Sequence, residues 1–333
     1  MAPPGSSDTP VEFALLVESG LLEPQSVLLV ESLRRFGGRH AGAAVTVVSP
    51  RAARRPSRAT ARALRRLGAE YLELDVDGPC PAYPTSWRVH ALATLEGRPG
   101  PEVLVQLDSD TVFLGDLGPL CADGAASARP VDVKGMGSTG PGDDYEPYWF
   151  ALCALAGVGV DALPFVRATV DGTRVRATHN GGFVAARREV GLFAHADALF
   201  RRSVAEDLRP HAGRGLNVRA GVGDVGVAGS EWWGSAQAVV SVAAASLGVQ
   251  IGPLDPGINV PLHSWVELPD KPAELLHVHY HWLFDTSSPR ANPLLDGSIA
   301  LPAEVAGWLA PRLPLDAPPR RGPRAWTRRG RSA

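Results

Sequence analysis

The run Val103-Leu104-Val105-Gln106-Leu107, which ends abruptly in Asp108-Ser109-Asp110, constrains this chain more than any other segment. A short, nearly continuous apolar run bounded by polar residues reads as a strand buried on both faces, the kind found in parallel sheets covered by helices. Open α/β sheets bind ligands at the carboxyl ends of such strands. Two carboxylates one residue apart at that turn offer the hard oxygen donors that Mn²⁺ or Mg²⁺ takes. A bare Asp-x-Asp also serves as a solvated turn capping the next segment. Here a second apolar group, Val112-Phe113-Leu114, follows directly, which favours a functional turn.

The segments before this strand supply the rest of a parallel sheet. Residues 13–17 read as a first buried strand running into Glu18-Ser19-Gly20, and 24–35 as a helix stopped by Gly37-Gly38. A second strand is expected over 43–48, a third over 71–76, and a helix over 86–95 with Ser86 as N-cap. Strand, helix, strand in succession is the unit from which parallel sheets are assembled. Between the second and third strands, Arg51, Arg54, Arg55, Arg58, Arg62, Arg65 and Arg66 flank a narrow stripe of Ala61, Leu64 and Leu67. This is the solvated outer face of a sheet-covering helix, or a weak contact with an anionic membrane surface or a phosphate.

After Leu117 the pattern loosens. Residues 121–148 lack periodicity over a length that suits a functional loop or lid. A short helix is expected over 149–158, a surface helix over 189–202, and a buried helix opening at Glu231-Trp232-Trp233 and ending near Leu247. Strand-like residues 174–177 and 182–186 flank His179-Asn180-Gly181-Gly182, where glycines admit a ligand to the backbone or Asn-Gly makes a hairpin turn. A further strand is expected over 249–254. Residues 275–283, LLHVHYHWL, alternate, so that His277, His279 and His281 share one strand face and can offer neutral nitrogens to a metal. The glycine patterns at 135–140 and 221–226 follow no strand and open no helix, so neither is a dinucleotide fingerprint.

With 333 residues, one large α/β domain over 11–310 is expected, between a disordered leader over 1–10 and a Pro- and Arg-rich disordered tail over 311–333. The formal charge of −2 argues against a nucleic-acid partner. Cys80, Cys121 and Cys153 are odd in number and widely spaced, against a disulfide framework or thiolate zinc site. Together with an N-terminus lacking signal-peptide character, this points to the cytoplasm. The uncharged stretch 232–254 is long enough to raise the question of a membrane span, but its Gln, Pro, Ser and Gly residues favour a buried helix followed by a strand.

In this order of elements, with VLVQLDSDTVFLGDL at its centre, the chain resembles the GT-A glycosyltransferases, particularly the glycogenin and galactosyltransferase group. The likeness extends over about residues 11–285 and includes His179-Asn180-Gly181-Gly182-Phe183-Val184, Gln237 on a late helix, and the His277–His281 strand. It implies a Rossmann-like, mostly parallel sheet flanked by helices. It also implies metal-dependent transfer of a hexosyl group from a nucleoside diphosphate sugar, most simply a UDP-sugar, to a glycan, lipid or small-molecule acceptor. By the resemblance, Asp108 contacts metal or ribose, Asp110 binds the metal, and His279 or His281 completes the coordination. Glu18, Arg88 and Ser109 hold the donor nucleotide, Asn180 and Gly181 face the donor sugar, and Gln237 acts at the reacting centre. Glu231, Asp143, Asp144 and Asp224, acids in expected loops, are candidates for accepting the acceptor's proton. His179 stands where the family has an aromatic residue, and the family's terminal Lys-Pro-Trp element is missing.

Two other functions fit some of the same residues. Asp108-Ser109-Asp110-Thr111-Val112 also fits the DxDx[TV] motif of haloacid-dehalogenase-like phosphatases, with Asp108 as nucleophile. That family places the motif near the start of the domain, whereas three strands precede it here. A non-catalytic protein that binds sugar nucleotides or glycans is the third possibility.

Overall fold

A computed structural model of the chain describes residues 9–122, 124–220, 223–286 and 292–318. Residues 1–8 of the expected leader and 319–333 of the expected basic tail lie outside the described residues. In chain order the elements are β1 (Val11–Leu16), α1 (Leu22–Phe36), β2 (Ala44–Ser49), α2 (Arg58–Arg66), β3 (Glu70–Glu73), α3 (Ser86–Glu96), β4 (Val103–Leu107) and β5 (Thr111–Phe113). There follow β6 (Ala126–Pro130), α4 (Glu146–Leu155), β7 (Phe165–Arg167), β8 (Arg174–Arg176), β9 (His179–Arg187), α5 (Leu192–Ala205), β10 (Arg219–Ala220) and β11 (Gly223–Asp224). The chain closes with α6 (Gly226–Ser230), α7 (Ser235–Ser246), β12 (Ile251–Gly252), β13 (Val260–Pro261), β14 (His277–His279) and α8 (Ala303–Leu309).

The central sheet has the order β12-β6-β9-β4-β1-β2-β3. β4, β1, β2 and β3 run parallel to one another, as do β12 and β6, while β9 is antiparallel to both β4 and β6. This is the expected α/β class with a mostly parallel sheet. Successive residues of β4 serve opposite cores: Leu104 packs into the one that includes residues of α3, α4, α5 and α7, and Val103, Val105 and Leu107 into the one under α1 and α2. Burying each such side chain contributes about 2 kcal/mol, which is why an apolar run without polar alternation forms the middle of this sheet. A third core joins β5 and β14 to α8 through Val112, Val278, Tyr280 and Trp308.

Several elements differ from expectation for identifiable reasons. Ser86 does not cap α3. It is buried, and its hydroxyl turns back to donate to the Tyr83 carbonyl at 2.7 Å. β3 ends at Glu73, although the Leu74 and Val76 amides still donate to Ser49 and Pro50. The segment over 121–148 holds β6, whose Ala-Ser-Ala-Arg-Pro sequence has too little apolar character to announce a strand. α5 is not merely superficial, since Phe193, Ala196, Leu199 and Phe200 are buried. The Asn-Gly hairpin does not form: β9 passes straight through His179–Gly182, and the hairpin here is β7 with β8. β14 stops at His279, and His281 sits at a φ of 53°. Among the described residues no helix is long and apolar enough to cross a membrane.

Candidate active site

Asp108 leaves β4 at the carboxyl edge of the sheet, and its amide donates to the Gly182 carbonyl of β9 at 3.1 Å. Ser109 turns its hydroxyl to the Leu16 carbonyl at the end of β1, and Thr111 donates to the Asp108 carbonyl at 2.8 Å. The turn is therefore fixed from three sides. Beyond it, β5 pairs antiparallel with β14 in a register that sets His279 opposite Thr111. The Tyr280 amide donates to the Asp110 carbonyl at 3.0 Å. Strand pairing thus delivers an imidazole from far downstream to the acidic turn. His279 Nε2 lies 3.2 Å from Asp110 Oδ1 and 4.0 Å from Asp108 Oδ2.

Asp108, Asp110 and His279 each offer one ligand atom, and the three atoms lie within 4.8 Å of one another. The donor set suits a divalent cation. Asp108 spends Oδ1 on Arg88 and leaves Oδ2 toward the cluster, and the two carboxylates supply hard oxygens beside one imidazole. Burial alone would raise the Asp110 carboxyl, but the imidazoles of His279 and His281 hold it well below the usual carboxylate range. Burial likewise penalises a charged His279, and the facing Asp110 and Asp108 outweigh it, so its pKa is raised. His281 stacks on His279 with ring centroids 3.9 Å apart and meets His263 edge-on at 4.0 Å; the convergent donors are the other three residues. His277 points away, into a wholly buried slot between Phe113 and Phe183.

Arg88, buried on α3, donates to Asp108 at 2.6 Å. A Cβ at Gly181 would lie 2.5 Å from Arg88 Nη2, and one at Gly182 would lie 2.5 Å from His279 Nδ1, so the paired glycines admit these two side chains. Asn180 accepts from the Gly182 amide at 2.8 Å and from Asn259 at 3.2 Å, and donates to Asp132 at 3.2 Å. Burial raises the Asp132 carboxyl despite nearby His279 and Arg129.

Asp132 and Asn259 were not among the residues singled out from the sequence. Nothing local in the sequence marks either residue: both are identified by their bonds to Asn180, Asn259 at a φ of 56°. The remaining candidates lie further out. Glu18 is buried beyond β1, with Arg51 at 2.6 Å and Arg54 at 3.5 Å. Gln237 stands one turn before Ser241 on α7, whose hydroxyl is 3.2 Å from His179 Nδ1. Glu231 is held by Arg209 and by the Gly213 amide. Asp143 pairs with Lys134, while Asp144 and Asp224 are exposed.

Solved structures to which this chain is similar include two of LgtC: an active-site mutant at 11% identity with a TM-score of 0.49, and the galactosyltransferase with donor and acceptor sugar analogues at 12% and 0.48. Each comparison covers 91% of this chain and 96% of the other. The bifunctional glycosyltransferase WbbM, in its apo form, is 11% identical with a TM-score of 0.41, covering 88% of this chain and 48% of that one. No curated protein matches the sequence. The family model described as a Rhodobacterales glycosyltransferase domain matches residues 13–211, more than half of the chain, from within β1 through the acidic turn and β9 to the end of α5, and the chain belongs to that glycosyltransferase family.

Proposed function

We propose that residues 11–310 work as one transferase unit that moves a hexosyl group from a nucleoside diphosphate sugar, most simply a UDP-sugar, to an acceptor hydroxyl. The convergence of Asp108, Asp110 and His279 at the carboxyl edge of the sheet carries the reading. A divalent cation held there, Mn²⁺ or Mg²⁺, supplies Lewis-acid neutralisation of the leaving diphosphate, worth roughly several kcal/mol.

The side chains divide the remaining work. Arg88 fixes the Asp108 carboxylate, and Ser109 locks the turn onto β1, so the acidic edge is pre-set before donor arrives. Glu18, with its two arginines, lines the nucleoside side. Asn180, Gly181 and Asp132 face the sugar, with Gln237 presented from α7 toward the reacting carbon. As the sugar–phosphate C–O bond breaks, its electron pair leaves with the diphosphate. The acceptor oxygen forms the new C–O bond, and its proton passes to the departing phosphate or to a carboxylate. Glu231 acts by position, because its carboxylate already fastens the 209–213 segment.

Membership in a glycosyltransferase family sets aside the phosphatase alternative. Buried free thiols at Cys80, Cys121 and Cys153 support a reducing, cytoplasmic setting. The test is nucleotide release from UDP-, GDP- and dTDP-sugars with Mn²⁺, repeated after chelation and with Asp110→Ala. Release that depends on metal and on Asp110 is expected; hydrolysis of a generic aryl phosphate instead, or binding without turnover, would refute it.

A further inference from the structure

The turn that follows β14 hangs directly from the acidic edge, because its first amide, that of Tyr280, donates to the Asp110 carbonyl. Two further bonds of 3.0 Å close it, from the Leu283 amide to the Tyr280 carbonyl and from the Asp285 amide to the Trp282 carbonyl. Tyr280, Leu283 and Phe284 are buried, and the rings of Tyr280 and Phe284 stack 3.8 Å apart. Residues three and four apart share one face of such a turn, which leaves Trp282 on the other. Trp282 is 42% exposed, the one exposed tryptophan among the described residues.

The indole is joined to the candidate site by ring contacts. Its centroid lies 5.7 Å from that of His281, which in turn stacks 3.9 Å from the ring of His279. It also lies 5.5 Å from the ring of His263, which meets His281 edge-on. These rings form a continuous wall from solvent to the imidazole that faces Asp108 and Asp110, whose own side chains are 26% and 24% exposed. β9 meets the His279 ring elsewhere, at Nδ1, through Gly182. The wall therefore approaches the cation site by a different route from the strand that carries Asn180 and Gly181.

Trp282 offers two kinds of contact to a ligand. Cations lie over the rings of Trp87, Trp265 and Trp308, at 5.3, 5.5 and 4.5 Å from their centroids, whereas among the described residues none lies over Trp282. Its Nε1–H likewise has no hydrogen-bond partner among them. An open apolar ring face with a donor at its edge matches a pyranose, which presents C–H groups on one face and hydroxyls around its rim. With no cation over the indole, the wall suits a neutral sugar rather than an anionic one.

We propose that Trp282 is the platform on which a sugar ring of an uncharged acceptor stacks, on the path along the wall to the cation site. The assignment rests on the transferase reading, in which the donor is held by groups on or beside β1, α3 and β9; Trp282 belongs to none of these elements.

The test uses the full chain with Mg²⁺ and four neutral sugars: methyl β-glucoside, methyl β-galactoside, lactose and cellobiose. Binding is read by saturation-transfer NMR. Nucleotide release from UDP-, GDP- and dTDP-sugars with Mn²⁺ is followed separately against each sugar. At least one sugar is expected to bind, with saturation strongest at the C–H protons of one ring face. Trp282→Ala should weaken that binding about tenfold, the order of one aromatic ring contact, and raise the acceptor KM by a like factor. Its donor KM and melting temperature should stay close to native, and Trp282→Tyr should restore most of the affinity. No sugar binding by the native chain, binding that survives Trp282→Ala, or a rise in donor KM in place of acceptor KM overturns the assignment. Sugar binding that depends on Trp282, with no nucleotide released from any donor, instead refutes the transferase reading, and Trp282 is then a sugar site without an acceptor role.

Discussion

Gly182→Ala strikes the candidate metal site through one methyl group. The added Cβ would come 2.5 Å from His279 Nδ1 and 2.6 Å from Asn259 Oδ1, about 0.9 Å short of ordinary contact at 3.4 Å. His279 has little room to yield, since it is buried, stacked on His281 at 3.9 Å, and paired through its backbone with β5. The strain therefore moves the imidazole relative to Asp108 and Asp110, or shifts β9. Displacement near 1 Å in a reacting site costs about 100-fold in rate, and disturbed ligand orientation costs about 10- to 100-fold in metal affinity. Overpacking should cost about 1–3 kcal/mol of stability, leaving a folded protein. Nucleotide release titrated with Mn²⁺ gives turnover and half-saturation together. Gly181→Ala is the contrast, because its Cβ meets the end of Arg88 and should weaken donor binding more than metal binding. Native turnover and native Mn²⁺ half-saturation in Gly182→Ala would show that His279 is not part of the working site.

Other perturbations test separate parts of the structure. His277 is fully buried without a hydrogen-bond partner for either ring nitrogen, and burial, aided by His279, pushes its pKa down to about 3. The unfolded chain binds this proton near pH 6.5 and the folded chain does not. Stability should therefore fall as pH drops from 6.5 toward 3, by about 2 kcal/mol at pH 5 from this residue. His277→Phe should flatten that loss in urea titrations at pH 7 and pH 5, and an unchanged slope would count against a buried neutral imidazole. Arg88→Ala leaves the Asp108 carboxylate without its buried partner and should cost on the order of 3 kcal/mol, read by urea denaturation. Metal at about 100 times its Kd should add roughly 2.7 kcal/mol and raise Tm by several degrees. Chelation should reverse the gain, and Asp110→Ala should never show it.

Much of the sheet was legible because its strands are buried on both faces and so carry nearly continuous apolar runs, as in Val103–Leu107, broken only by Gln106, and in residues 13–17. The acidic turn was legible for the same reason, since a polar pair after such a run has few places to go. What remained hidden depends on partners distant in sequence. Asp132 matters because Asn180 reaches it, and nothing local to either residue records that bond. Asn180-Gly181-Gly182 has the composition of a turn, yet β9 runs straight through it, with Arg88 against Gly181 and His279 against Gly182 in the space side chains would take. The three histidines over 277–281 alternate in sequence, yet pairing with β5 ends at His279, and one goes to the core, one to the acids and one to a stack.

β9 enters the sheet against the direction of β4, so its first residues arrive at the rim where β4 ends. Within the stretch that joins them, β5 and β6 are woven into the sheets, so only what lies between Asp132 and Val170 is in effect a handle, soldered at its ends by the Val170 amide on the Asp132 carbonyl. Its length can change without altering the registration of β4 on β9, which pair directly. On the proposed transferase reading, exchanging residues 133–170 among relatives should alter what the site accepts while leaving the convergence of Asp108, Asp110 and His279 in place.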